Sequence, residues 1–227
     1  MKIEIWSDVV CPWCYLGRAR FEKALARFDG RDQVEVTWRS FQLDPDAPQQ
    51  YNQSINHWLS ESKGLRLEQA QAAHDRLTAL GKAEGLDYRF DLVRTGNTFD
   101  AHRLIHFAAR HGHQAEMNAR LQRAYFSEGQ SIGDLDTLAK LAAEVGLDEA
   151  EARQALEGGA FAAEVRADLR RAEAIGVTGV PCFVIDEKYA ITGAQPAEVI
   201  LQALDHIRAA EQKEAGVMAS SGDADLA

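Results

Sequence analysis

The sequence predicts an α/β protein: a small mixed sheet flanked by helices, interrupted by a long all-helical insertion. Three observations lead there. Strand-like alternation of apolar residues occurs only near the two ends of the chain, at residues 2–6, 34–41, 182–185 and 189–191. Between residues 46 and 171 the apolar positions keep helical spacing instead. A Cys-x-x-Cys pair, Cys11 and Cys14, stands where the first strand gives way to the first helix.

Ile3 and Ile5 share one face of the first strand, and residues 7–10 form the loop into the cysteines. From Trp13 to Phe28 the residues Leu16, Phe21, Ala24, Leu25 and Phe28 follow a helical stripe, ended by Gly30. Val34 to Phe41 alternates again, with Val34, Val36 and Trp38 on one face. Strand, helix, strand makes a βαβ unit with a right-handed crossover. Asp44-Pro45-Asp46-Ala47-Pro48 then breaks the pattern.

Six helices are expected in the insertion. The first carries Leu67, Ala70, His74, Leu77 and Leu80, with Gly81 and Gly85 at its end. The second carries Ala101, Leu104, Ile105 and Ala108 behind the cap candidates Asn97 and Thr98. The third covers residues 113–127, and the fourth carries Leu135, Leu138, Leu141 and Val145 up to Gly146. Asp148 to Glu151 opens the fifth with capping-box character. Phe161, Val165, Leu169 and Ala172 mark the sixth, closed by Gly176. Cys182–Ile185 and Tyr189–Ile191 then form a hairpin about Asp186-Glu187-Lys188. Pro196 is expected at the first position of a final helix bearing Val199, Ile200, Leu204 and Ile207. Residues 1–45 and 172–214 thus form one discontinuous domain and 46–171 a helical insertion domain. The small, polar and acidic residues 215–227 are expected to be a disordered tail.

Composition narrows the function. With 35 acidic and 25 basic residues the formal charge is −10, which argues against nonspecific binding of nucleic acid or anionic membrane. No run of about 18 apolar residues exists, so no membrane-spanning helix is expected. Glu4 and Asp8 interrupt the start of the chain, so no secretory signal is read and a cytoplasmic location is expected. Three cysteines in 227 residues are not a disulfide scaffold, and a Cys-x-x-Cys pair in a reducing compartment is usually catalytic or sensing. Composition leaves the oligomeric state open between monomer and dimer.

Cys11-Pro12-Trp13-Cys14 carries the chemistry. A helix N-terminus offers unpaired N–H groups and the positive end of the peptide dipoles, so Cys11 is expected to have a depressed pKa. Pro12 suits the first turn because it has no N–H to leave unpaired. Cys14 lies about one turn further in and is expected to be the less accessible thiol. Thiol–disulfide exchange follows, with Cys11 as nucleophile and Cys14 as resolving thiol. Zinc fits poorly, because a structural site normally needs four ligands and the one remaining cysteine, Cys182, has no paired histidines nearby. No metal and no bound cofactor are therefore expected. A purely structural role is also disfavoured, since closing a two-residue loop constrains the unfolded chain little.

The motif, together with Ser7-Asp8-Val9-Val10, Asn97-Thr98-Phe99-Asp100-Ala101-His102, Ala124-Tyr125-Phe126-Ser127-Glu128-Gly129 and Gly176-Val177-Thr178-Gly179-Val180-Pro181, resembles the thioredoxin-like fold with an inserted helical domain. That is the DsbA-type arrangement, and the match is nearest the FrnE-like branch of thiol:disulfide oxidoreductases. The resemblance covers residues 3–205. It implies that Val180–Pro181 is a cis bond beside the cysteines, with the Val180 backbone open to an extended substrate segment. It implies substrate contacts from Pro12, Trp13, Val180 and Pro181, and partners that are protein or small-molecule thiols and disulfides, glutathione among them as substrate or reductant. His102 either faces the cysteines from the helical domain or is a partly exposed helix histidine. Cys182 is either a redox partner or inert packing. Trp13 supplies no imidazole between the cysteines, so a weaker oxidant is expected than a Cys-Pro-His-Cys centre. The rival enzyme reading is a glutathione-dependent isomerase or transferase similar to the hydroxychromene-carboxylate isomerases and kappa-class transferases. Those relatives carry serine where this chain keeps two cysteines. A redox-sensing or chaperone-like binding module is the non-enzymatic rival.

Overall fold

The structure, a computed structural model, describes residues 1–50, 55, 58–59, 64 and 66–222, with side chains described through residue 213. Strand β1 (Lys2–Ser7), helix α1 (Pro12–Arg27) and strand β2 (Glu35–Ser40) form the expected βαβ unit. Helices α2 (Leu67–Ala83), α3 (Phe99–Arg110), α4 (Gln114–Phe126), α5 (Leu135–Glu144), α6 (Glu149–Glu157) and α7 (Ala162–Ala174) follow. Strands β3 (Cys182–Ile185) and β4 (Tyr189–Thr192) and helix α8 (Ala197–Gly222) close the chain. Among the described residues, the segment from 46 to 171 carries helices and no strand. No helix among them is long and apolar enough to cross a membrane.

The sheet order is β2-β1-β3-β4, with β1 parallel to β2 and antiparallel to β3. Alternation along β1 sorts its side chains. Ile3 and Ile5 point to a core shared with Phe21, Ala24 and Phe28 of α1, Phe183, and Ile200, Leu204 and Ile207 of α8. Trp6 points the other way, against Cys182 and Ala172 of α7. Its indole Nε1 donates to the Asp168 carbonyl at 3.3 Å, which satisfies the buried N–H.

A strand at a sheet edge is normally a template for unwanted pairing. Here the outer edge of β2 is occupied by side chains. Gln114 accepts from Trp38 N and donates to Trp38 O, each at 3.0 Å. Asp168 accepts from Ser40 N at 2.9 Å. The helical lobe thereby docks on the sheet through hydrogen bonds that a further strand would otherwise make. Its apolar core also takes in Val9 and Tyr15 from the cysteine region, so lobe and motif share one packing unit.

Of the two cap candidates of α3 one makes the bond, and two further local expectations differ from the structure. Thr98 sits at the N-cap of α3, but its side chain makes no capping bond, and Asn97 Oδ1 accepts from Phe99 N instead. The Thr98 hydroxyl is 3.4 Å from the Gln42 amide, which donates to it. Pro196 lies just before α8 rather than inside it, and its carbonyl accepts from Val199 N and Ile200 N. Helix α8 continues to Gly222, eight residues into the expected tail that began at 215. Once nucleated, a helix extends cheaply through alanines such as Ala209, Ala210, Ala215 and Ala219. Residues 223–227 of that tail lie outside the described residues.

Candidate active site

Cys11 is the N-cap of α1, with extended backbone angles, and Pro12 is the first helical residue. The Cys11 carbonyl accepts from Cys14 N at 3.0 Å and from Tyr15 N at 3.2 Å, which starts the helix. The loop before it is fixed from several sides. Cys11 N donates to the Asp8 carbonyl at 3.1 Å. The buried Asp8 carboxylate accepts from Leu43 N at 2.8 Å, and its other oxygen is 3.2 Å from His102 Nε2 on α3. The Tyr88 hydroxyl donates to the Pro12 carbonyl at 2.5 Å. Burial raises the Tyr88 phenol well above its usual range, so it stays protonated and remains a donor.

The Val180–Pro181 bond is cis. Cys11 Sγ lies 3.7 Å from the Val180 carbonyl oxygen and donates to it, so the thiol and the proline loop meet directly. Gly17 makes this approach available. A Cβ there would stand 2.8 Å from Pro181 Cγ, closer than real side chains pack. Gly17→Ala should therefore lower stability by about 1–2 kcal/mol through overpacking, despite alanine's better helix propensity. It should also push the proline loop off Cys11 and speed alkylation of that thiol by iodoacetamide. Thermal denaturation and the alkylation rate check both.

The two cysteines are unequal, though less so in accessibility than expected. Cys11 is 4% exposed and Cys14 1%. Burial first, and then the neighbouring Cys11 sulfur, push the Cys14 thiol well above its ordinary value, against opposing contributions from the Ser7 hydroxyl and the Asp8 N–H. Cys14 is thus held as a thiol. Trp13 between them is 39% exposed.

His102 is buried at 2% exposure and meets Asp8, so the partly exposed reading does not hold. It reaches the cysteine loop through the Asp8 carboxylate. Cys182 is buried, with burial raising its thiol, and packs against Trp6 and Ala172. Asp8, Gly17 and Tyr88 were not singled out in the sequence. Asp8 stands inside the quoted motif segment and Gly17 three residues beyond Cys14, where proximity to the cysteines was the available signal. Tyr88 carries none, because it lies 76 residues from its partner.

The DSBA-like thioredoxin domain profile matches residues 2–205. The crystal structure of the probable DsbA oxidoreductase SCO1869 from Streptomyces coelicolor is 48% identical, with a TM-score of 0.86 over 91% of this chain and 89% of that one. The uncharacterized protein YwbO of Bacillus subtilis (strain 168) is 35% identical over 206 residues, which are 90% of this chain and 96% of YwbO. The cytosolic disulfide reductase DsbM of Pseudomonas aeruginosa shares the fold at 21% identity, with a TM-score of 0.66 over 92% of this chain and 99% of that one. With a thioredoxin-like sheet, a helical lobe packed on the cysteine loop and a profile match over both, this chain belongs to the DsbA-like thioredoxin-domain family.

Proposed function

We propose that this chain is a thiol:disulfide oxidoreductase in which Cys11 is the nucleophile and Cys14 the resolving thiol. The observation that carries the reading is the Cys11 sulfur on the Val180 carbonyl, beside cis-Pro181, with Cys14 buried behind it and kept protonated. In the reducing direction the Cys11 thiolate attacks one sulfur of a substrate disulfide. A Cys11–substrate disulfide forms, and the other substrate sulfur leaves as a thiolate and takes up a proton. Cys14 then gives up its proton and attacks Cys11 Sγ. The Cys11–Cys14 disulfide forms and the second substrate thiolate is released. The dithiol loses two electrons and the substrate gains them. The same steps run backwards for oxidation. An extended substrate segment would pair with the Val180 backbone, and Pro12, Trp13 and Pro181 would line its path. His102 serves as a positioning residue through Asp8. Two molecules of glutathione would return the disulfide form to the dithiol, becoming one glutathione disulfide. The proposed site of action is the cytoplasm.

The test is insulin reduction with dithiothreitol as electron source. The wild type should accelerate it, and Cys11→Ser should fall to the uncatalysed rate. In the glutathione-isomerase alternative the attacking sulfur belongs to bound glutathione, so neither cysteine substitution need abolish turnover of that substrate. Full insulin reductase activity in Cys11→Ser would overturn the proposal.

A further inference from the structure

Beside the cysteine loop lies a cavity of about 190 Å³ whose lining includes neither Cys11 nor Cys14. Its walls are mostly apolar and include Phe90, Val93 and Phe126 from the helical lobe. Val10 and Pro12, the chain neighbours of Cys11, form part of its floor. Its polar lining includes Asp8, Asp44, Thr98 and Tyr125 together with His74 and Thr95, the last two each 5% exposed. Among the described residues, neither His74 Nδ1 nor Thr95 Oγ1 has a hydrogen-bond partner. Buried polar atoms are rarely left so, because each unpaired group costs about 1–3 kcal/mol. The His74 ring is fixed by stacking on Phe90, with centroids 3.9 Å apart and planes within 10°.

We infer that this cavity is a binding site for a small one-ring aromatic molecule carrying a hydroxyl or similar hydrogen-bonding group. Size selects the class. An apolar cavity of about 150 Å³ accepts benzene, whereas drug-sized ligands occupy roughly 300–1,000 Å³. The present volume suits a single substituted ring and is too small for a whole tripeptide such as glutathione. The two unpaired polar atoms select the substituent, since a bare hydrocarbon would leave both unsatisfied. Burial lowers the His74 pKa, against a small opposing pull from Asp75. The neutral imidazole therefore has both a donor and an acceptor to offer. Val10 and Pro12 flank Cys11 in the chain, so an occupant lies against the redox motif. If the oxidoreductase reading holds, on which this last step rests, the occupant is the ring of a small aromatic thiol or disulfide.

The binding claim is tested on the whole protein by calorimetric titration with p-cresol and with toluene, which has the same shape without the hydroxyl. p-Cresol should saturate at one per chain and bind about tenfold more tightly than toluene. Thr95→Val, and separately His74→Leu, should each shrink that preference. The wild-type comparison needs no variant to fold. Absence of saturable p-cresol binding, or affinity no better than that of toluene, would overturn the site, as would a preference untouched by both substitutions. Insulin reduction is measured separately. Binding without reductase activity would sink the redox reading alone, and reductase activity without binding would sink the cavity site alone.

Discussion

A Cys14→Ser variant mixed with a disulfide substrate is expected to stall as a mixed disulfide on Cys11. Removing the inner sulfur leaves the attack step intact and deletes the group that releases the product. On the proposed mechanism Cys14, three residues along α1 from Cys11, attacks within the same molecule, which gives it a very high effective concentration. External thiol must replace it in the variant, so turnover should fall on the order of 100-fold. Mass spectrometry of the trapped species should place the substrate on Cys11. An adduct on Cys182, or unimpaired turnover with no adduct, would show that the two sulfurs do not divide the work in this way.

The largest expected stability effect lies away from the cysteines, at Asp168 on α7. Its carboxylate is 3.1 Å from Arg39 Nη1, 3.0 Å from His106 Nε2 and 2.9 Å from Ser40 N. Burial alone would raise the carboxyl pKa, but the His106 imidazole, the Ser40 N–H and Arg39 outweigh it and hold it below the usual value. Asp168→Ala leaves the buried Ser40 N–H without its acceptor and takes the carboxylate away from Arg39 and His106, and should cost about 3 kcal/mol. The lower end of the range for buried ion pairs applies because the Arg39 side chain keeps 30% exposure. The sign of the pH dependence follows from the lowered value. The stabilisation is complete above the unfolded carboxyl pKa of about 3.9 and is lost as pH falls through the lower folded value. Chemical denaturation of wild type and Asp168→Ala should therefore differ most near neutral pH and converge in acid. A gap that widens below pH 4 would refute the assignment.

Elements whose information is local were legible in the sequence. The βαβ alternation at residues 2–41, the hairpin about Asp186 and the helical stripes all appear within a residue or two of their expected places. The cis bond at Val180–Pro181 was legible for a different reason, the resemblance to a family pattern. Contacts that join distant segments were not. His102 and Asp8 lie 94 residues apart and Tyr88 and Pro12 lie 76 apart, and no periodicity links them. The same holds for Asp168, which reads as an ordinary helix aspartate until Arg39, Ser40 and His106 are folded around it. The final helix runs past its expected end because small and polar residues are compatible with both a disordered tail and a helix. Alanine is small and is also the best helix former, so that signal pointed both ways.

The most direct measurement of the central claim is the pairing of the three cysteines at redox equilibrium. The protein is poised in buffers of reduced and oxidised glutathione, quenched with acid, alkylated and mapped by peptide mass spectrometry. Cys11 and Cys14 should interconvert reversibly between dithiol and one intramolecular disulfide, with Cys182 recovered as an alkylated thiol throughout. A disulfide that includes Cys182, or a Cys11–Cys14 pair that never closes across the whole range of poise, would contradict the assignment of Cys11-Pro12-Trp13-Cys14 as the redox centre.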